Sequence, residues 1–283
     1  MSCTNGKTLP AAPTLLLRSV EAGPDRLGSW MTAVNTSVER IPLRQLYKGQ
    51  QWQSALGLER AAVSLGYDVK LWVASAGLGL VPVDHLAPAY GATFGSGPDS
   101  VGDTIMVRRG WWTGLAVSAG ASVLGQVRAE CDQLMVVSSP TYLNVLAPDL
   151  RTVADEALAV VSSAQVDGLD VVLSSGLRSA LGGSALSQNA RAAGQFLRLC
   201  RGTSVGASAA GRAWAGWRED RVAATRRPGR RLQDSDVRRF VLRELTASPG
   251  SRTVLLQRLR ASGWACEQSR FAKQYALAVE GAQ

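Results

Sequence analysis

Apolar positions along this chain switch between two periods. In RQLYKGQQWQSALGLERAAVSLG (44–66), Trp52, Leu56, Ala62 and Val63 share one helical face, which predicts a helix from about Gln50 that stops at Gly66. The run DVKLWVASAG (68–77) is short and continuous, and it predicts a strand buried on both faces. VGDTIMVRRGWWTGLAVSAG (101–120) predicts a helix packed on a sheet, with Trp111 and Trp112 as core residues. QLMVVSSPTYLNVL (133–146) predicts a second buried strand leaving through Ser138, Ser139 and Pro140, and RTVADEALAVVSSA (151–164) a helix with Asp155 and Glu156 near its start. GLDVVLSSGLRSALGGSALSQNARAAGQFLRLC (168–200) predicts a third strand, a Ser-Ser-Gly exit and a helix from about Ser187. This alternation is that of an α/β protein with a mainly parallel sheet flanked by helices.

The three strands end alike, in SAG (75–77), SSP (138–140) and SSG (174–176). Ligand crevices of open α/β sheets lie beyond the carboxyl ends of the strands, so three permissive, hydroxyl-bearing exits are expected to line one pocket. Small residues also make tight strand-to-helix turns, and a single exit of this kind would carry little weight.

Beyond Gly211 the pattern changes. RAWAGWREDRVAATRRPGRRLQ (212–233) mixes arginine with small residues, Trp214 and Trp217. DSDVRRFVLRELTAS, SRTVLLQRLRASG and ACEQSRFAKQYALAVEG follow as three amphipathic helices, with Asp234 or Ser235 and Ser251 as candidate N-caps. The expected organisation is an α/β domain over 1–211, an arginine-rich linker over 212–232, and a small all-α, helix-turn-helix-like domain over 233–283. Its last helix is expected to turn Glu267, Gln268, Arg270, Lys273 and Gln274 outward.

Charge sharpens that division. Residues 1–211 hold 16 Lys+Arg against 15 Asp+Glu, while residues 212–283 hold 15 against 7, all but one of the fifteen cations being arginine. A basic excess confined to one end is the footprint of a polyanion-binding module, and arginine favours phosphate through its bidentate fork. Arg226, Arg227, Arg230, Arg231, Arg270 and Lys273 are the candidate nucleic-acid contacts here, with Lys48 of the LYKG turn as an outlying phosphate ligand or simply a surface residue. Tri-helical ends also dock proteins, and spacing alone does not separate the two uses.

No apolar run reaches the ~18–20 residues of a membrane span. The opening MSCTNGKTLPAAPTLLLRSV lacks a basic start, so no secretory signal is expected. The four cysteines are scattered and there is one histidine, His85, which fits reduced thiols in a cytoplasm and argues against a zinc site. Neither metal nor cofactor is expected. No G-x-x-x-x-G-K-[ST] or G-x-S-x-G occurs, which removes the common nucleotide-hydrolysing and serine-hydrolase readings.

Four ordered motifs then bear on function: LYKGQQW (46–52), SAGLGLVP (75–82), AYGATF (89–94) and PDSV (98–101), preceded by SCTNGK (2–7). Together they resemble a bacterial family whose members read LYxGxxW, SAGYGLVP, YxATF and DSV. The strand-exit signature is also similar to that of the peroxide-stress YaaA proteins and of accessory domains of archaeal tRNA-guanine transglycosylases. The resemblance covers roughly the first two thirds of the chain at motif level. It implies work on nucleic acid and modified bases, and through relatives linked to antiviral defence it implies a DNA glycosylase-like enzyme. Such an enzyme would excise a flipped, modified base from double-stranded DNA such as that of a phage. Leu78 stands where the family has an aromatic residue, and Gly91 where it often has a polar or acidic one.

Cleaving an N-glycosidic bond in DNA requires the nucleotide to leave the stack for a pocket with a π-face, donors for the base edge and an acid near the sugar. Tyr47, Tyr90, Phe94 and Tyr142 are the candidate stacking residues; Ser75, Ser138 and the backbone at Gly77 are the candidate donors. Asp84 is the first choice of carboxylate because it follows a strand exit, and Asp99 the second; Asp84 is equally suited to capping a turn after Pro82. Asn189 suits reading a base, pointing a water, or capping the helix from 187. His85 as an electrophile lacks an identifiable orienting partner. The competing readings are a non-catalytic DNA-binding stress protein and a tRNA base-exchange accessory factor.

Overall fold

The computed structural model describes residues 1, 6–118, 123–200, 202–223, 230–248 and 250–280. They fall into two units, Met1–Val222 and Ala223–Gln283.

The first unit opens with two single 3-10 turns (Pro13–Leu15 and Leu17–Ser19) and helix α1 (Arg26–Thr36). Strand β1 (Ile41–Pro42), one turn of helix α2 (Leu43–Leu46) and α3 (Gln50–Ser64) follow. Next come β2 (Trp72–Ser75), β3 (Gly79–Pro82) and β4 (Leu86–Ala87), then α4 (Ile105–Ser118) and α5 (Leu124–Ala129). The remainder runs β5 (Leu134–Val137), α6 (Pro140–Thr152), β6 (Leu158–Ser162), β7 (Val171–Leu173), α7 (Arg178–Leu181), α8 (Gln188–Leu199) and α9 (Ser208–Ala223).

Strands β5, β6 and β7 form a parallel sheet in that order, so the chain is mixed α/β with a parallel three-stranded sheet flanked by helices. Alternate residues serve opposite faces. Val136, Val160 and Val171 join one apolar core, while Val137, Ala159 and Val161 join a second with Phe196 of α8 and Trp214 of α9. Coverage of both faces is why these strands are nearly all apolar.

One expectation in this region needs correction. The segment 151–164 is not one helix: α6 ends at Thr152, and LAVVS becomes β6, the central strand. Its Ala, Leu and Glu neighbours suit a helix, but a segment with Val160 and Val161 side by side and Ala159–Ser162 all buried is worth more between two strands than on a half-exposed helix. The strand that opens segment 133–146 leaves through Ser138, Ser139 and Pro140 as expected, and Ser139 caps the helix that follows. Its Oγ accepts from the Tyr142 backbone N–H at 3.5 Å, with Pro140 in the first turn where its missing N–H costs nothing.

A second correction bears more directly on function. β2 does not belong to the parallel sheet. It pairs antiparallel with β3 in a separate hairpin, Ser75 facing Gly79 at the turn and Trp72 facing Pro82 at the open end. The mainly parallel sheet is therefore smaller than expected, and β1 with β4 adds a further antiparallel pair.

The expected linker also starts too early. α9 runs to Ala223, and Trp214, only 4% exposed, is part of the second apolar core, stacked on Trp217 at 5.1 Å. Arg226 and Arg227 lie outside the described residues. The second unit comprises β8 (Arg230–Arg231), α10 (Asp234–Ala247), α11 (Arg252–Ala261), β9 (Trp264–Ala265) and α12 (Gln268–Glu280). Val237, Phe240, Leu255, Leu259 and Phe271 form its core. Ser251 caps α11 as expected. The unit is not all-α, because β8 and β9 pair in parallel. Among the described residues no helix is long and apolar enough to cross a membrane.

Candidate functional site

The turn of the β2–β3 hairpin organises a buried polar cluster. Ser75 closes β2, and its Oγ accepts from the backbone N–H groups of Gly77 (3.1 Å) and Leu78 (3.2 Å). Both lone pairs are thereby engaged, so the hydroxyl proton is directed to its remaining neighbour, the Tyr90 hydroxyl at 2.5 Å. The Tyr90 hydroxyl in turn is hydrogen-bonded to that of Tyr47. Ser75 is 0% exposed, and Tyr47 and Tyr90 are 2% exposed each.

Tryptophans hold this arrangement in place. The Trp30 indole N–H donates to the Gly77 carbonyl (2.8 Å) and the Trp111 indole N–H to the Ala76 carbonyl (2.7 Å). Trp30 meets Tyr90 edge-on at 6.1 Å, and Trp52 meets Tyr47 edge-on at 5.0 Å. Glycine is required at 77 because a Cβ there would lie 2.6 Å from the Tyr90 ring and 3.1 Å from Trp30.

Lys7 completes the cluster. Residues 6–8 run antiparallel to residues 46–48: Thr8 N–H donates to the Leu46 carbonyl (2.8 Å), Lys48 N–H to the Gly6 carbonyl (3.0 Å), and Lys7 pairs with Tyr47. The Lys7 ammonium sits 4.5 Å from the Tyr90 ring centre and 5.4 Å from that of Tyr47. A cation over an aromatic face is attracted by the ring quadrupole, more strongly where water is excluded. Lys7 was not among the expected site residues. The only signal for it was the SCTNGK motif, since a lone lysine in a polar hexapeptide has no periodicity to reveal its partner.

Of the expected base-binding residues, the fold therefore unites Tyr47, Ser75, Gly77 and Tyr90. The others lie elsewhere. Phe94 is fully buried, edge-on to Tyr142 (5.0 Å) and Trp112 (6.3 Å), so Phe94 and Tyr142 are core aromatics and not a stacking platform. Ser138 lies on the carboxyl edge of the parallel sheet. That edge is not an open crevice: Asn189 spans it, its Nδ2 donating to the Ser138 carbonyl (2.7 Å) and its Oδ1 accepting from Ser174 Oγ (2.6 Å), while the Gln188 amide donates to the Ser174 carbonyl. The expectation of three exits lining one pocket fails twice, because SAG belongs to the hairpin and the SSP and SSG exits are clipped by α8. Asn189 is that clip, with both amide functions engaged.

The carboxylates are also redistributed. Asp84 lies past the open end of the hairpin, where Val83 N–H donates to the Leu71 carbonyl. That is the end opposite Ser75, about 10 Å along the strand. Its side chain is 70% exposed and pairs with Arg44 at 3.0 Å. Arg44 also forks onto both oxygens of Glu59 (2.6 and 2.9 Å), and hydrogen bonding to Glu59, then to Asp84, raises its guanidinium above the ordinary value. Asp84 is thus a surface ion-pair residue at the end of the hairpin away from Ser75. Asp99 is better placed. It accepts from the Arg18 backbone N–H (3.1 Å) and pairs with the Arg18 guanidinium (3.4 Å), and a Cβ at Gly91 would come within 2.9 Å of its Oδ2. Gly91 is small because Asp99 and Leu16 crowd the residue after Tyr90. Lys48 is exposed beside the cluster's own strand.

In the second unit, Arg230, Arg231 and Lys273 are exposed as expected, but Arg270 and Gln274 are not presented outward. Arg270 Nε donates to Asp234 (2.6 Å), and Gln274, 3% exposed, bridges Asp234 (3.1 Å) and Arg238 (3.2 Å). Asp234 is therefore an internal tie and not the free cap of α10. Set beside known proteins, the chain matches no protein-family model, no curated protein and no solved structure.

Proposed function

We propose that the chain is a DNA glycosylase-like enzyme that excises a flipped, modified nucleobase, with its second unit acting as a helix-turn-helix-like nucleic-acid module. The observation that carries this reading is the hydroxyl series Ser75, Tyr90, Tyr47 beneath the Lys7 ammonium. In this reading Ser75 donates to Tyr90, Tyr90 donates to Tyr47, and Tyr47 supplies the proton. Successive hydrogen bonds polarise one another, so a series anchored on two backbone amides strengthens its terminal donor. Such a donor suits a departing base: the C1′–N bond breaks, its electron pair leaves with the base nitrogen, Tyr47 supplies the proton, and water adds at C1′. The water's proton restores Tyr47, leaving a free base and an abasic site. Lys7 offsets negative charge developing on the base or the phenol. Asp99, held by Arg18 next to the residue after Tyr90, is the carboxylate best positioned to face the sugar cation. The arginine-dominated charge of residues 212–283 supports the nucleic-acid module.

The test is incubation with plain and base-modified phage DNA, with released base read by mass spectrometry and abasic sites by alkaline cleavage. Tyr47→Phe is expected to lower release by about 10²–10⁴-fold, the usual worth of a general acid, with DNA affinity retained. Absence of release from every DNA would remove the enzymatic reading. The near-complete burial of Tyr47 and Tyr90 favours, as a second reading, a non-catalytic DNA-binding stress protein in which the series only braces the hairpin. That protein would bind DNA and yield no product, whereas a tRNA base-exchange accessory factor would prefer folded RNA in competition.

A further inference from the structure

The second unit carries a concavity of about 650 Å³ whose lining includes Arg231, Arg260, Arg270, Trp264, Cys266 and Glu267. It lies where β8 and β9 meet the end of α11 and the start of α12. Three arginines and one glutamate line it. Two of the three are tethered: Arg260 Nη2 donates to the Cys266 carbonyl (2.9 Å), and Arg270 is fixed by Asp234 and by the Leu232 carbonyl (2.8 Å). A guanidinium carries five N–H donors, so one bond to Cys266 leaves Arg260 most of its capacity for a ligand while limiting the entropy lost on binding. Arg231 is exposed on β8, in register with Ala265 of β9.

The outward face of α12 is poorer in cations. With Arg270 and Gln274 turned to Asp234, Lys273 is the exposed cation of that helix, and Glu280 is exposed on it too. Shape points the same way. Elements that read duplex DNA enter its groove and are convex, a helix or a two-stranded ribbon. A concavity that combines an aromatic ring with arginines instead receives a strand, the base on the ring and the phosphates on the cations.

We propose that this concavity binds a single-stranded segment of nucleic acid, with Trp264 stacking on an unpaired base and Arg231 and Arg260 taking the adjacent phosphates. The proposal rests on the second unit being a nucleic-acid module and is independent of the tyrosine series. The experiment is an anisotropy titration of the full chain with a labelled single-stranded oligonucleotide and a hairpin duplex of the same bases, across a salt series. The wild-type protein is expected to prefer the single strand. Arg231→Gln should weaken that binding several-fold and reduce the slope of log K against log salt by about 0.7, the share of one phosphate contact in a single strand. Trp264→Ala should weaken it by roughly 5- to 150-fold and Trp264→Phe far less, the conservative ring guarding against a folding defect. Lys273→Gln should weaken it less than Arg231→Gln does. Loss of affinity in Lys273→Gln, with Arg231→Gln and Trp264→Phe both at wild-type affinity and slope, would overturn the concavity in favour of α12. A duplex preference left intact by Arg231→Gln would also overturn it. Failure to bind any oligonucleotide would overturn the nucleic-acid module itself.

Discussion

Tyr90→Phe is the most direct test of the buried hydroxyl series, because one oxygen serves two bonds. Removing it leaves the Ser75 proton without its acceptor, at a site where Ser75 is already committed to the amides of Gly77 and Leu78, and takes from Tyr47 its hydroxyl partner. A buried polar group left unsatisfied costs about 1–3 kcal/mol, and the Phe ring recovers part of this by needing no hydroxyl desolvation. The expected loss is about 2–4 kcal/mol. For a unit of this size each kcal/mol lowers the melting point by about 2–4 °C, so a fall of roughly 4–16 °C is expected. Urea unfolding followed by tryptophan fluorescence reads the first unit well, because seven of the eight tryptophans lie within Met1–Val222. The m-value should stay constant while the midpoint falls. Tyr47→Phe should cost less, and Tyr47→Phe with Tyr90→Phe should cost less than the sum of the two by about 1 kcal/mol, since the second change removes a bond already broken. A Tyr90→Phe loss below about 0.5 kcal/mol, or strict additivity of the pair, would refute the continuous series.

Gly77→Ala should destabilise by about 1–3 kcal/mol, as its Cβ meets the Tyr90 ring at 2.6 Å, whereas Gly110→Ala in α4, where a Cβ meets nothing within 4 Å, should stabilise by about 0.5–1 kcal/mol; calorimetry of the pair decides both. Asn189→Ala should cost about 1–3 kcal/mol in denaturant melts by stranding the buried Ser174 hydroxyl, and adding Ser174→Ala should restore part of that loss. Burial first, and Arg40 second, lower the His85 pKa below the ordinary 6.5, so the folded chain binds a proton less readily than the unfolded one. Stability from this residue is present above pH 6.5 and declines as pH falls through the lowered folded value; His85→Gln should flatten that part of the stability curve, and an unchanged slope would exclude the effect.

The parts of the fold legible in the sequence are those where one local signal suffices. Helix α3 starts at Gln50 after Gly49 and ends before Gly66, as periodicity and punctuation indicate. Ser251 caps α11 because a serine before an apolar run has few better uses. What periodicity does not encode is which strand pairs with which. The apolar run 68–77 looks the same whether it enters a parallel sheet or folds back on itself, and the choice rests on the Gly77–Leu78–Gly79 turn, where Gly79 takes a φ of +77° and lets β3 return against β2. LAVVS is illegible for the same reason: its strand character is supplied by pairing with β5 and β7, which lie outside the segment itself.

That distinction also explains why only part of the expected residue set comes together in space. Tyr47, Ser75, Gly77 and Tyr90 were grouped through short motifs whose residues prove to be neighbours, because a hairpin turn and two aromatic-bearing segments converge on one point. Asp84 was chosen by the rule that ligands gather beyond strand ends, but that rule presupposes a parallel sheet. Once β2 and β3 are antiparallel, the same rule sends Asp84 to the far end, where it meets Arg44. On the proposed reading, the site then relies on proton donors and an ammonium group more than on a carboxylate near the strand exit, so the proposed catalysis activates the departing base more than it stabilises the sugar cation. A glycosylase built this way should discriminate between substrates by the basicity of the base atom that receives the Tyr47 proton, and modified bases differ from ordinary ones in that property as well as in shape.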